Sequence, residues 1–126
     1  VANYLARRQP RIGSQEFGKA FEHYILMELK AYQSYRNPDM LITFWRTSTG
    51  REVDFILGDK ELAIEIKSSS RIHEGDIGGL QALLEDGPVK KCFIVCLEKQ
   101  PRQLSKNIEA VPWQMFIERL WDGEFE

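Results

Sequence analysis

The sequence predicts an α/β domain in which a mixed central sheet is flanked by helices, in the order α-β-β-β-α-β followed by a β-α tail. Three observations carry this. A single apolar stripe at helical spacing runs through residues 14–35. Two short alternating runs, 52–57 and 61–67, straddle Gly58-Asp59, a hairpin signal. An almost unbroken apolar run, 89–97, follows a helical stretch, and a strand–helix–strand passage of that length suits a parallel crossover.

The elements can be justified in chain order. Residues 1–13 read as a basic lead-in arm: they carry Arg7, Arg8 and Arg11, with Pro10 and Gly13 as breakers. A flexible solvated arm is the expectation, with phosphate contact as the alternative. Residues 14–126 then form a single domain. Ser14 is placed to cap a helix reaching about Tyr35, whose stripe is Phe17, Phe21, Ile25, Leu29 and Tyr32. Asn37-Pro38-Asp39 ends it. Residues 41–47 are β-branched and aromatic, hence a strand, and Ser48-Thr49-Gly50 is a turn. After the hairpin, Asp76 is expected to cap a helix to about Glu85 that carries Leu80, Leu83 and Leu84, with Gly87-Pro88 as its stop. A short strand at 109–111 and an amphipathic helix at 113–121 complete the chain.

Bulk properties narrow the class. With 126 residues and 43% hydrophobic content, the chain can bury one sizeable core. No apolar run approaches the ~20 residues that span a bilayer, so no membrane association is expected. No charged segment leads into an apolar one at the start, so no secretion signal is read and a cytoplasmic location is expected. The chain opens on Val1 rather than Met, as an excised domain or trimmed piece would. Cys92 and Cys96 lie four apart on the expected strand, on one face but ~13 Å from each other, beyond disulfide reach. They read as buried thiols in a reducing compartment. His23 and His73 are isolated, so no His/Cys metal site is expected. A net charge of −2 argues against a strong stand-alone nucleic-acid binder.

The hairpin gathers the chemistry. Strand residues alternate faces. A two-residue loop would pair Leu57 with Lys60 and put Asp54 opposite Ala63. A four-residue loop would pair Leu57 with Leu62 and put Asp54 opposite Glu65. Either places Asp54, Glu65 and Lys67 on one face, and only a bulge or an odd loop would separate them. The other face would hold Val53, Phe55, Leu57, Leu62, Ile64 and Ile66, all core. Glu52 joins the polar face. Like charges opposed across strands cost up to about 1 kcal/mol per pair, so a counter-charge or cation is expected there. An ordinary wet, charged hairpin face is the plain alternative.

Asp54, ten residues, then Glu65-Ile66-Lys67 resembles the D…(D/E)xK motif of the PD-(D/E)xK nucleases, the restriction-endonuclease-like superfamily. Gly18-Lys19-Ala20-Phe21-Glu22 resembles the GxxxE helix of archaeal Holliday-junction resolvases and related members. A narrower resemblance joins Gly18-x-x-Phe21-Glu22, Phe44-Trp45-Arg46-Thr47, Glu52-Val53-Asp54-Phe55 and Ile64-Glu65-Ile66-Lys67. It is to the DUF4143 family, a domain found at the C-terminus of AAA+-type ATPases of bacteria and archaea, and it runs from about Gly13 to Trp121. The tract FWRT…EVDF…EIK is its specific part.

This resemblance implies a restriction-endonuclease-like αβββαβ core and metal-dependent phosphodiester hydrolysis on DNA. Asp54 and Glu65 would hold Mg²⁺ or Mn²⁺ through hard oxygen ligands. Glu22 would add a ligand or orient a metal-bound water. Lys67 would steady charge on the phosphorane-like transition state or assist the attacking water. Val53 stands where the family name has proline. The implied partner is an ATPase domain in the same or another chain. A non-catalytic binding or regulatory module of an ATPase is the alternative, and a toxin–antitoxin or defence component a third.

Other residues have plainer readings beside functional ones. Gln81 sits one turn into the second helix, a solvated position or a polar site residue. Glu28 falls in the apolar stripe of the first helix, and a buried carboxylate needs a partner; an arginine, Arg46 in particular, is expected. Arg46 and Arg51 flank the turn into the hairpin, placed to contact phosphate or to neutralise carboxylates. Trp45, Trp113 and Trp121 are expected in the core. Ser68-Ser69-Ser70 reads as a loop. No GxxxxGK[ST] occurs, so the chain has no P-loop.

Overall fold

In the computed structural model, residues 14–125 are described; the expected basic arm, residues 1–13, lies outside them. Ser14 caps the first helix, α1 (Gln15–Arg36), its Oγ accepting from the Phe17 amide at 3.1 Å. The stripe holds: Phe21, Ile25, Leu29 and Tyr32 are buried, and Phe17 packs half-buried against them. Three strands follow: β1 (Ile42–Arg46), β2 (Glu52–Leu57) and β3 (Leu62–Ile66). A single 3₁₀ turn (Glu74–Ile77) leads into α2 (Gly78–Asp86). The chain continues through β4 (Lys91–Cys96), β5 (Arg102–Gln103), β6 (Ile108–Pro112) and α3 (Trp113–Trp121).

The six strands form one mixed sheet in the order β1-β2-β3-β4-β6-β5. β1, β2 and β3 are antiparallel neighbours. β3, β4 and β6 run parallel, and β5 returns antiparallel to β6. Every residue of β3 is buried, as a strand covered on both faces requires. One face packs Ile64, Ile66, Phe93, Val95 and Val111 beneath α1 and α3, with Phe116 and Leu120 from the latter. The opposite face packs Ala63, Cys92, Ile94, Cys96 and Ala110 against Ile72, Ile77, Leu80 and Leu83 around α2. Both thiols are buried and unpaired with each other. Trp45, Trp113 and Trp121 are partly buried against the two cores, as expected.

The hairpin takes the four-residue loop. Leu57 pairs with Leu62 and Phe55 with Ile64, and Gly58 sits at φ +64°, a conformation glycine reaches without a Cβ clash. The uniform alternation expected of β2 fails at one point. Thr43 pairs with Ile56 and Trp45 with Val53, two steps on β1 against three on β2. The extra residue is a β-bulge spanning Asp54 and Phe55. Phe55 and Leu57 therefore face α1, whereas Val53 drops into the core beneath α2 beside Ile56. That corrects Val53's assignment to the first face.

Two further expectations change. Asp76 does not cap α2. Its Oδ2 accepts from the His73 amide at 2.8 Å and closes the preceding 3₁₀ turn. α2 begins instead at Gly78-Gly79, because nothing larger fits. A Cβ at Gly78 would overlap the Arg51 guanidinium, and one at Gly79 would overlap the Glu52 carbonyl oxygen. The glycine pair seats the helix directly on the start of β2. The two-residue β5 carried no usable pattern and was not anticipated.

Candidate acidic site

The site lies at the carboxyl ends of the parallel strands, the edge of an open α/β sheet where ligand crevices form. Paired rungs of the β2–β3 ladder stop at Phe55 and Ile64. Beyond them, side chains take over. The Asp54 amide donates to Glu65 Oε1 at 3.1 Å, and the Ile66 amide donates to Asp54 Oδ2 at 2.8 Å. The bulge against β1 falls at this same stretch of β2.

Glu65 is buried, at 8% exposure. Its carboxyl is pushed up to about 8, chiefly by loss of water, then by a side-chain hydrogen bond to Asp54 and by that residue's charge. Lys67 works the other way, its Nζ 3.9 Å from Glu65 Oε2, and does not outweigh burial. The two acids and the lysine are thus brought together as the hairpin argument expected, by side-chain bonds rather than parity alone.

Glu22 stands on the exposed side of α1. Partial burial raises its carboxyl first, then the charges of Asp54 and Glu52, so it belongs to the same electrostatic neighbourhood without touching the pair. Gly18, one turn earlier, explains how the helix comes near: a Cβ there would stand 3.3 Å from Ser68 Oγ. The first turn of α1 therefore approaches the loop that follows Lys67.

The accessory candidates separate. Arg46 Nε pairs with Glu52 Oε2 at 3.3 Å, both well exposed, which neutralises Glu52 at the margin. Arg46 does not reach Glu28. That carboxylate accepts from Trp121 Nε1 at 3.1 Å, so the indole of α3, not an arginine, satisfies it. Arg51 lies over Gly78. Gln81 is exposed on α2 and makes no hydrogen bond to the cluster.

Sequence reasoning missed one buried acid. Glu98 accepts from the Ile72 amide at 2.7 Å and from Arg102 Nη2 at 2.8 Å, while the same guanidinium donates to the Ile72 carbonyl. The pair clamps the loop after β3 to the strand beside it. An Arg four residues after a Glu was its only trace in the sequence. A cleft of about 570 Å³ lies around the hairpin loop at the opposite end of the sheet. Glu22, Glu52, Asp54 and Glu65 do not line it, and its lysines are taken up in Lys90–Glu61 and Lys91–Glu124 pairs at 2.7 and 3.8 Å.

Chemically, the cluster offers hard carboxylate oxygens beside one ammonium. Among the described residues no group of three or more His, Cys, Asp or Glu gathers around a common point. Two carboxylates still suit Mg²⁺, which keeps several waters and commonly takes one or two protein carboxylates plus substrate phosphate. No helix among the described residues is long and apolar enough to cross a membrane. The chain matches the family described as a domain of unknown function, DUF4143, over residues 17–116. Neither the curated proteins nor the solved structures give a match.

Proposed function

The chain belongs to the DUF4143 family, and on that premise we propose that it is a metal-dependent nuclease domain of the PD-(D/E)xK superfamily, acting on DNA in association with an AAA+-type ATPase. The observation that carries the reading is the joined pair of Asp54 and Glu65 at the carboxyl edge of the sheet, with Lys67 beside it. A fold that holds two acids together under burial gains from a cation between them. In this reading the αβββαβ succession is a restriction-endonuclease-like core.

Asp54 and Glu65 would hold Mg²⁺ or Mn²⁺. When bound, the ion polarises the phosphate and lowers the pKa of water. Lys67 places its ammonium beside the pair, where it offsets negative charge on a phosphate entering the site. Glu22, which shares the field of Asp54 and is exposed on α1, would accept a proton from an attacking water. Water attacks phosphorus, one P–O ester bond breaks, and the leaving oxygen takes up a proton.

A second reading keeps the fold and drops the catalysis: a binding or regulatory module of an ATPase. The net charge of −2 and the grouping of Glu22, Asp54 and Glu65 with Lys67 as their neighbouring cation favour it, because bare DNA is repelled by such a surface. Calorimetric titration of Mn²⁺ separates the two. Wild type should bind, and the Asp54→Asn/Glu65→Gln protein should not. Binding of equal strength in both would remove the metal site. With metal bound, failure to cut supercoiled, linear, single-stranded and branched DNA would decide for the module.

A further inference from the structure

Charge is unevenly divided along this chain. Residues 1–13 hold Arg7, Arg8 and Arg11 and no acid, a charge of +3. The whole chain carries −2, so residues 14–126 carry −5. A short basic segment thus precedes an acidic domain, an asymmetry that points to a charged partner surface. Tyr4, Leu5 and Ile12 give the same segment apolar side chains.

The cleft of about 570 Å³ at the hairpin-loop end of the sheet is complementary to such a segment. Its buried lining is apolar, with Leu57, Leu62 and Leu120 each at 2% exposure or less. Its exposed lining is charged. Lys90 is matched by Glu61 at 2.7 Å and Lys91 by Glu124 at 3.8 Å. Asp39 and Asp59 are left over, and neither carboxylate has a hydrogen bond or ion pair among the described residues. The cleft is therefore an apolar trough beside two uncompensated negative charges, and its volume is one that ligand sites commonly have. It suits a cation carried on an apolar body, which is what arginine beside tyrosine or leucine presents.

The place where the segment joins the domain decides which copy supplies it. Ser14, its point of attachment, caps the start of α1, whereas Tyr32, in the cleft wall, lies near the other end of that helix. At ~1.5 Å per residue the two stand about 27 Å apart along the axis. The chain from Ser14 back to Arg7 spans at most ~25 Å. Within one molecule that stretch would have to be drawn taut along α1, whereas between two molecules no such limit applies.

We propose that the cleft binds residues 1–13 of a second copy of this chain, with arginines at Asp39 and Asp59 and apolar side chains on the leucines. Each copy carries one segment and one cleft, so two copies close on each other by making the same contact twice. The inference is independent of the nuclease reading, because the cleft and the acidic pair occupy opposite ends of the sheet.

The test combines sedimentation velocity of the full chain over a range of concentrations with fluorescence anisotropy of a labelled peptide of residues 1–13. Wild type should form dimers as concentration rises, and added salt should weaken them. Asp39→Asn/Asp59→Asn should stay monomeric, and so should Arg7→Ala/Arg8→Ala/Arg11→Ala. A mixture of these two variants should form a mixed dimer, because one supplies the segment and the other the cleft. The peptide should bind the arginine variant, and adding Asp39→Asn/Asp59→Asn to it should weaken binding about fivefold or more, as loss of two exposed charge pairs predicts. Circular dichroism checks that these exposed substitutions leave the fold intact. A peptide that does not bind, or that binds equally without the two aspartates, overturns the site. A wild type that stays monomeric at every concentration overturns the second-copy assignment; if its cleft also refuses the peptide until the three arginines are replaced, the segment lies in its own cleft.

Discussion

Asp54 and Glu65 each hold a main-chain amide across the hairpin, Asp54 Oδ2 that of Ile66 and Glu65 Oε1 that of Asp54 itself. The two acids are therefore the last rungs of the β2–β3 ladder as well as the candidate ligands. Substitutions at the site must move stability and chemistry together, and the predictions below are arranged to separate them.

Asp54→Ala strips the Ile66 amide of its acceptor in a half-buried place. The cost should be about 1–3 kcal/mol, the penalty for an orphaned donor. Asp54→Asn keeps an oxygen at the same position and should recover more than half of it. Urea unfolding of the three proteins measures this; an Ala variant as stable as wild type would remove the rung.

Glu65 should make stability fall as pH rises. Its carboxyl titrates near 8 in the folded protein against an ordinary 4.5, so the folded chain binds more protons than the unfolded chain between those values. The favourable contribution is complete below about pH 4.5 and is lost through pH 8. Urea midpoints from pH 5 to 9 should decline for wild type and flatten in Glu65→Gln. Mn²⁺ uptake at pH 7 should release a proton, readable by calorimetry in buffers of different ionisation enthalpy. Heats that do not change with buffer would count against Glu65 as a ligand.

Gly79→Ala should destabilise by about 1–3 kcal/mol, because the new methyl must displace the Glu52 main-chain carbonyl rather than a pliable side chain. Gly75→Ala, where a Cβ meets nothing within 4 Å, is the matched control. Thermal unfolding of the pair should differ clearly.

Glu98→Gln should cost about 1–2 kcal/mol by weakening charge-assisted bonds to Arg102 and the Ile72 amide. The Arg102 guanidinium, ahead of the other causes, holds Glu98 below the usual carboxylate range. Its contribution is thus present above about pH 4.5 and is lost as pH falls through the depressed value. Hydrogen exchange at the Ile72 amide should quicken in the variant. Unchanged protection there would show that the clamp does not restrain the loop.

Much of this architecture was legible because it rests on periodicity. The α1 stripe, the bounds of β2 and the span of α3 follow from 3.6- and 2-residue repeats that burial enforces. The meeting of Asp54, Glu65 and Lys67 was legible in part, since alternation put them on one face while side-chain bonds to main-chain amides join the two acids. What escaped depends on contacts between distant segments. The bulge that moves Val53 is set by pairing with β1, and no residue in β2 announces it. Glu28's partner is an indole 93 residues away. The need for Gly78-Gly79 comes from Arg51 and the Glu52 carbonyl, which lie where a Cβ would stand. Asp76 had the chemistry of a cap, but His73 placed the turn one step earlier.

The crossed amide bonds also bear on how such a chain can change over generations. A lineage that stopped using the site would not be free to shed its acids singly, since each closes the hairpin from the partner's strand. Drift would reach Lys67 or Glu22 first, because neither side chain closes that ladder. Among relatives, an intact Asp–Glu pair beside a replaced lysine would mark a disused site on a preserved frame.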